Sequence, residues 1–128
     1  MFDWSDYLVL ARELGSSRPV PAPREARLRA SISRAYYAAF CSAKNHLRDV
    51  DGDTGIPDQD VHTYVRAKFA NSPTVARQRV GSDLDRLFRA RVFADYFDEF
   101  PGVRQKTVIS LEYASRVLHN LSLVRGGG

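Results

Sequence analysis

The chain has 128 residues, of which 44% are hydrophobic and 27% are charged. This length and composition indicate one globular domain and exclude a mainly disordered chain. The only cysteine, Cys41, excludes an intrachain disulfide and a cluster of thiolate metal ligands. The net charge is +4, and arginine supplies all but three of the 19 basic residues. Arginine suits phosphate groups, so this composition favours an anionic partner.

No stretch of the sequence approaches the roughly 20 apolar residues of a membrane-spanning helix. The N-terminal sequence MFDWSDY is acidic and aromatic, unlike a secretory signal peptide. We therefore expect a cytoplasmic protein that has no membrane segment and needs no metal or cofactor. We expect one domain over residues 1–125 and a flexible glycine tail over residues 126–128.

Two helices are predicted in the first half of the chain. Apolar residues recur at helical spacing between Trp4 and Leu14, and Gly15 follows as a C-terminal cap. Three prolines within SSRPVPAP, residues 16–23, predict an extended linker. A long helix is then predicted from about Pro23 to Arg48, with several small residues on its apolar stripe.

An acidic loop, DVDGDTGIPDQD, covers residues 49–60. Its alternating aspartates, Asp49, Asp51 and Asp53, resemble the start of a calcium-binding loop. Thr54 stands where such a loop has glycine, and Asp60 stands where it has glutamate. These departures favour a solvated loop over a calcium site.

Three further helices are predicted after this loop. Asp60 is expected to cap a short helix that ends near Phe69, with His62 exposed in its first turn. Ser72 and Pro73 have the form of a helix start, so a fourth helix is predicted from there to about Tyr96. It is expected to bend or restart at residues 81–82.

Pro101 and Gly102 then interrupt the chain, and a last helix is predicted over residues 103–123. No segment alternates polar and apolar residues with a period of two, so no sheet is expected. The predicted fold class is all-α, an up-and-down bundle of four main helices plus a short extra helix.

The apolar stripe of the fourth helix continues into polar residues. Arg91 and Asp95 follow Leu84 and Leu87 on the same face, and Tyr96 lies beside Asp95. A buried guanidinium without a partner costs several kcal/mol, so Arg91 needs one. In one interpretation Asp95 is that partner, and Tyr96 packs into the core. In the other, Arg91 meets an anion in a shallow interfacial cleft where Tyr96 offers its hydroxyl.

Two segments resemble the motifs of HEPN domains, small helical modules named for nucleotide binding. ISRAYYAAFCSAKNHL, residues 32–47, is similar to their signature helix S-R-A-Y-Y-A-A-F-H-A-A, with Cys41 where histidine often stands. RVFADYFDEF, residues 91–100, resembles the second motif of one branch, R-N-x-A-D-Y-D. With the helix order and the motif spacing, the resemblance covers nearly the whole chain.

The resemblance implies a helical bundle that commonly dimerises through its motif-bearing helices. Many HEPN proteins are metal-independent ribonucleases, acting as toxins or in phage defence, with the motif R-x(4–6)-H. In them the arginine stabilises charge on the attacked phosphate, and the histidine transfers protons with the ribose 2′-hydroxyl. Others bind a nucleotide, RNA or a partner without catalysis. A minimal nucleotidyltransferase is a frequent antitoxin partner.

Carried onto this chain, the resemblance implies a site with Arg91 as the phosphate contact and Asp95 and Tyr96 as assisting residues. Arg34 and Tyr37 turn away from the centre of the apolar stripe of the long helix, so we expect a substrate or dimer surface that includes Arg34, Tyr37 and Arg89. The chain departs from the motif because position 96 is tyrosine rather than histidine. A phenol with a pKa of about 10 is a poor base at neutral pH.

We therefore expect a dimeric protein that acts on RNA, as a ribonuclease toxin or defence component. The alternative is a non-catalytic module that binds a nucleotide, RNA or a nucleotidyltransferase. A third interpretation is a dimeric scaffold in which Arg91 and Asp95 only hold the interface together.

Overall fold

The computed structural model describes residues 1–124 and contains five α-helices in that range, with no strand. The helices are α1 (Asp6–Leu14), α2 (Arg24–Asp49), α3 (Val61–Ala70), α4 (Val75–Tyr96) and α5 (Val103–Leu123). The predicted all-α bundle is confirmed, with three long helices and two short ones. The whole tail predicted over residues 126–128, and the last residue of the predicted domain, lie outside the described residues.

Helix α2 is the centre of the bundle, in contact with every other helix. Ala35, Ala39 and Ala43 recur every fourth residue along it and have no exposed surface. Because alanine side chains are short, α4 and α5 can approach the α2 backbone closely, as the small residues of the stripe predicted. Tyr36 is also fully buried, whereas Cys41 is half-buried against the core.

Buried hydroxyl groups join the helices where backbone carbonyls face the core. The Ser31 hydroxyl donates to the carbonyl of Ala11 over 2.6 Å, which ties α2 to α1. The Thr107 hydroxyl donates to the carbonyl of Leu28 over 3.4 Å and to that of Val103 over 2.8 Å. These bonds satisfy polar groups that would otherwise be buried without a partner.

The starts of α3 and α4 differ from the prediction. Asp60 adopts the left-handed conformation with φ of 53°, and its side chain makes no capping hydrogen bond. The Ser72 N–H donates to the carbonyl of Phe69, so Ser72 belongs to the end of α3 rather than to the start of α4. Helix α4 begins at Val75, after an extended Thr74.

Gly81 permits the close packing of α3 on α4. Helix α4 runs through Gly81 without interruption, so the predicted restart does not occur. A Cβ atom at this position would lie 2.6 Å from the backbone nitrogen of Ala70 at the end of α3. The glycine therefore serves the contact between two helices rather than a break within one.

The acidic loop is bound to the helices through its carboxylates. Asp51 accepts hydrogen bonds from both terminal nitrogens of Arg77 on α4, at 2.7 and 3.3 Å. Asp53 accepts one from the Tyr64 hydroxyl on α3, at 2.7 Å. The loop thus holds α2, α3 and α4 together at one end of the bundle. Within residues 1–124, no helix combines the length and apolarity needed to cross a bilayer.

Candidate functional site

Arg91 lies on the face of α4 that turns towards α2. Its side chain is only 10% exposed to solvent. Its Nη1 atom lies 3.7 Å from Oδ2 of Asp95, one turn further along α4. The ion pair expected between these two residues is therefore present. At 3.7 Å the pair is too long for a hydrogen bond.

The Arg91 guanidinium is surrounded mainly by aromatic rings. The ring centroids of Phe88, Tyr36, Tyr37 and Tyr96 lie 5.2, 5.4, 5.6 and 6.0 Å from its central carbon. Its Nε atom is buried without a hydrogen-bond partner in the described part of the chain. Cation–π contacts stabilise the positive charge, but they leave the N–H groups without acceptors.

Two residues of α2 connect Asp95 with the rest of the site. The Ser33 hydroxyl donates to Oδ2 of Asp95 over 3.3 Å, and Arg34 donates to the Ser33 hydroxyl over 3.3 Å. The Arg34 guanidinium lies over the rings of Tyr7 and Tyr37, at 4.8 and 5.3 Å. The structure thus brings Arg34 and Tyr37, which the sequence predicted for a substrate or dimer surface, close to Arg91 and Asp95.

Arg29 fixes the end of α4 that carries Asp95. Its guanidinium donates to the carbonyls of Ala94, Phe97 and Asp98, at 3.3, 2.5 and 3.0 Å. These carbonyls have no partner within α4 because the helix ends there. An arginine of α2 therefore sets the position of the α4 end relative to α2.

His62 enters the site from the first turn of α3. Its Nδ1 atom shares a hydrogen bond with the Tyr36 hydroxyl, and its ring stacks on Phe40 with centroids 4.3 Å apart. His62 is half-buried, so the prediction of an exposed histidine is wrong. The reason is tertiary packing, because the start of α3 covers Tyr36 and Phe40 of α2.

Burial and positive charge set the protonation states of this pair. Burial, followed by the charges of Arg91 and Arg66, lowers the pKa of His62, so the neutral imidazole predominates at neutral pH. Burial raises the pKa of Tyr36, which keeps the phenol protonated. Because the phenol occupies Nδ1, Nε2 is the ring nitrogen left for another group.

Arg66 adds a second cation beside the site. Its guanidinium lies 4.4 Å from the centroid of the Phe88 ring, and Nη1 lies 3.5 Å from Oδ1 of Asp85. Phe88 therefore contacts both Arg66 on α3 and Arg91 on α4. The arrangement offers two arginines and a neutral histidine around one aromatic cluster, a set suited to an anion that exchanges protons.

Tyr96 and Arg89 lie at the margin of this arrangement. Tyr96 is 71% exposed, so the interpretation in which it packs into the core is wrong. Helix α4 ends at Tyr96, which leaves its side chain in solvent. The Arg89 side chain is 77% exposed and pairs with Asp85 on the outer side of α4, away from Arg91.

Comparison with protein-family models, curated proteins and solved structures found no match. The resemblance to HEPN domains therefore stays a prediction that rests on the two motifs. Among residues 1–124, no group of three or more His, Cys, Asp and Glu side chains is placed to hold a metal ion.

His62 is the site residue that sequence reasoning did not place. One indirect signal was present, since Tyr36 lies on a predicted buried stripe and a buried hydroxyl needs a hydrogen-bond partner. That requirement does not identify the partner, which comes from another helix 26 residues further along the chain.

Proposed function

We propose that this protein is a HEPN-like module that acts on RNA as a metal-independent endoribonuclease. Its site is the cluster of Arg91, Asp95, Tyr36 and His62 where α2, α3 and α4 meet. One observation carries the proposal: the Arg91 guanidinium has rings around it, and the carboxylate oxygen of Asp95 lies 3.7 Å from Nη1, beyond hydrogen-bond distance. A phosphate group supplies the acceptors that this guanidinium lacks.

The reaction that suits these groups is transfer of the phosphoryl group to the neighbouring ribose hydroxyl. The 2′-oxygen attacks phosphorus and loses its proton to a base, while the bond to the 5′-oxygen breaks and that oxygen gains a proton. The products are a 2′,3′-cyclic phosphate and a 5′-hydroxyl. Arg91 stabilises the charge that accumulates on the phosphoryl oxygens.

In this proposal His62 takes the place of the motif histidine. A neutral imidazole at neutral pH has the protonation state that a general base requires. The tautomer that this role requires has its proton on Nδ1, which donates to the Tyr36 oxygen and so orients the ring. Nε2 then carries the lone pair that takes the proton of the 2′-hydroxyl. Asp95 and Ser33 orient Arg91, and Tyr96 lies at the entrance as a surface for the substrate.

A non-catalytic module is the second candidate, and the exposure of Tyr96 favours it. Tyr96 occupies the motif position of histidine, yet nothing in the described chain encloses its phenol. In this alternative the Arg91 cluster binds RNA, a nucleotide or a nucleotidyltransferase partner. Such a module would retain phosphate affinity through Arg91 without breaking RNA.

A homodimer belongs to the first proposal. Phe93, Tyr96 and Phe97 are 41%, 71% and 46% exposed at the end of α4, and the rings of Phe93 and Phe97 lie 4.1 Å apart. A second copy of the chain would cover Phe97 and leave Phe93 and Tyr96 at the edge of the interface. As a toxin or defence component, the dimer would be neutralised by a partner such as a minimal nucleotidyltransferase.

Cleavage of single-stranded RNA by the purified protein in the presence of EDTA tests the proposal. Arg91→Ala is expected to lower the rate by about 10²- to 10³-fold, the usual loss when one charge-stabilising donor is removed. His62→Ala should lower it by about 10²-fold or more. Arg104→Ala, a matched loss of one exposed arginine on α5, should leave the rate unchanged.

Intact RNA after incubation with the wild-type chain would contradict the ribonuclease proposal. If the intact RNA is nevertheless bound, and Arg91→Ala abolishes that binding, the non-catalytic module is correct.

A further inference from the structure

A second cationic region lies between α4 and α5, on a different face of α4 from Arg91. Its centre is Asp83, which is 1% exposed. Arg116 of α5 donates to both Asp83 oxygens, at 2.7 and 3.1 Å, and Arg86 of α4 donates to Oδ1 at 3.1 Å. Two guanidiniums share one carboxylate, so this cluster carries excess positive charge and both arginines have fixed positions.

Two adjoining depressions open on this surface and share Arg86. One, of about 600 Å³, has a mainly polar lining that includes Arg79, Arg116 and His119. The other, of about 560 Å³, is lined by Arg89, Lys106, Tyr113 and aromatic residues near the end of α4, among others. Together they form one surface feature, which we call the α4–α5 groove.

The α4–α5 groove contains the charge excess of the chain. Five basic side chains and one carboxylate line it, an excess of four positive charges. The net charge of the whole sequence is also +4, so the remaining residues are balanced. Arg79 and Lys106 are exposed and make no ion pair within residues 1–124, which leaves both cations accessible to a ligand.

Aromatic surface is interleaved with these cations. The Tyr113 ring lies 5.5 Å from the guanidinium carbon of Arg86 and 4.9 Å from that of Arg116. Phe93, which is 41% exposed, lines the same groove. A cationic groove with aromatic faces is the usual form of a site for single-stranded nucleic acid, where phosphates meet cations and bases stack on rings.

We propose that the α4–α5 groove binds single-stranded RNA, with Arg79, Arg86 and Lys106 at the phosphates and Tyr113 against a base. This inference rests on the proposed function, because it supplies a binding surface for the substrate of the Arg91 site. The groove is distinct from that site: Arg91 and Asp95 face α2, whereas Arg86 and Asp83 contact α5. It holds flanking nucleotides rather than the bond that is cleaved.

Fluorescence anisotropy with a labelled oligouridine carrying 2′-O-methyl groups tests the groove separately from the chemistry. This RNA cannot be cleaved through its 2′-oxygen, so its affinity does not depend on whether the protein is a ribonuclease. The test variant is Arg79→Gln with Lys106→Gln, which removes two exposed charges without disturbing Asp83. The matched control is Arg18→Gln with Arg24→Gln, the same charge loss outside the groove.

We expect the Arg79/Lys106 variant to bind about tenfold more weakly than the wild-type chain. The slope of log affinity against log salt should fall by about 1.4, since each phosphate contact to a single strand contributes about 0.7. The Arg18/Arg24 control should change neither quantity. Tyr113→Leu should weaken binding by at least fivefold, because one stacked base is lost.

Several results would overturn the inference. One is wild-type affinity in the Arg79/Lys106 variant, and another is an equal loss in the Arg18/Arg24 control. A third is the absence of oligouridine binding by the wild-type chain. A fourth result combines two observations: polyglutamate of the same charge displaces the labelled RNA as well as unlabelled oligouridine does, and Tyr113→Leu has no effect. That result would assign the groove to an acidic protein instead. If the groove variant loses affinity while no RNA is ever cleaved, the groove stands and the ribonuclease proposal fails.

Discussion

The Arg91 guanidinium has rings around it where most buried arginines have oxygen atoms. Its one carboxylate neighbour, Asp95, lies 3.7 Å away and also accepts a hydrogen bond from Ser33. Rings and one distant carboxylate offset part of the cost of burying the charge, but they do not supply hydrogen-bond acceptors to the guanidinium. These contacts support the proposed site rather than a simple packing pair.

The burial of His62 beside Tyr36 makes the stability of the protein depend on pH. In the folded chain the pKa of His62 lies below its ordinary value of 6.5, chiefly because of burial. At a pH between the pKa of His62 in the folded chain and that in the unfolded chain, the unfolded chain therefore binds more protons than the folded chain does. The contribution of neutral His62 to the unfolding free energy is therefore complete above about pH 6.5. It is lost as the pH falls through the pKa of His62 in the folded chain.

Urea unfolding of the wild-type chain and of His62→Gln, from neutral pH to about pH 5, measures this dependence. The wild-type chain should lose more of its unfolding free energy over this range than the variant does. His119→Gln is the matched control, since His119 is exposed on α5, and its profile should follow the wild type. Parallel profiles for the wild-type chain and His62→Gln would show that the histidine is not held neutral.

Sequence periodicity located the helices because each buries a regular stripe of apolar residues. Tyr36 and the alanines of α2 lie on that stripe, and all are buried as the pattern predicts. The helix ends were harder to predict, since Ser72 is equally suited to start α4 or to finish α3. Only the hydrogen bond of the Ser72 N–H to Phe69 decides between these roles.

At the level of helices, Gly81 is a contact residue, and its replacement tests how tightly α3 lies on α4. Gly81→Ala would place a methyl group 2.6 Å from the Ala70 nitrogen, so α3 must shift. We expect a loss of about 1–3 kcal/mol in unfolding free energy, typical of overpacking. This sign is opposite to the gain of up to about 1 kcal/mol that Gly→Ala gives in an unobstructed helix.

Chemical denaturation of Gly81→Ala and of its neighbour Ser82→Ala provides the comparison. Ser82 is exposed on α4, so its replacement should change the unfolding free energy little or raise it slightly. A stabilised Gly81→Ala protein would contradict the close contact between α3 and α4. Because α3 carries His62, the same variant should also lower RNA cleavage.

The placement of His62 could not be read from its own helix. Sequence spacing shows that Arg91 and Asp95 share a face of α4, since residues four apart are neighbours on a helix. It cannot show that the first turn of α3 lies over Tyr36, because that depends on how the acidic loop returns the chain. Asp51 and Asp53 fix that return through Arg77 and Tyr64, contacts between residues far apart in sequence.

For the whole molecule, the exposed rings at the end of α4 predict a homodimer. Light scattering at micromolar concentration should give twice the mass of one chain. Phe97→Asp should convert the dimer to a monomer, because an unpaired carboxylate would be buried in the interface. Val108→Asp, an equally drastic change at an exposed position of α5, should leave the dimer intact. A monomeric wild-type chain would refute this prediction.

The molecule thus presents two cationic surfaces on different faces of α4. The Arg91 cluster is enclosed, aromatic and next to a histidine, whereas the α4–α5 groove is open and contains the net charge. RNA that lies in the groove would have to pass over the end of α4, near Tyr96, to reach Arg91. This arrangement gives the exposed tyrosine a place along the substrate path, rather than the role of the missing histidine.

The most direct test of the central claim compares two oligonucleotides that differ in a single 2′-hydroxyl at the site of cleavage. With EDTA present, the wild-type protein should cleave the all-ribose strand to a 2′,3′-cyclic phosphate and a 5′-hydroxyl, identified by mass spectrometry. The strand with 2′-deoxyribose at that position should remain intact there, and Arg91→Ala should cleave the all-ribose strand about 10²- to 10³-fold more slowly. Cleavage of the deoxy-substituted bond, or an all-ribose strand left intact, would contradict the account.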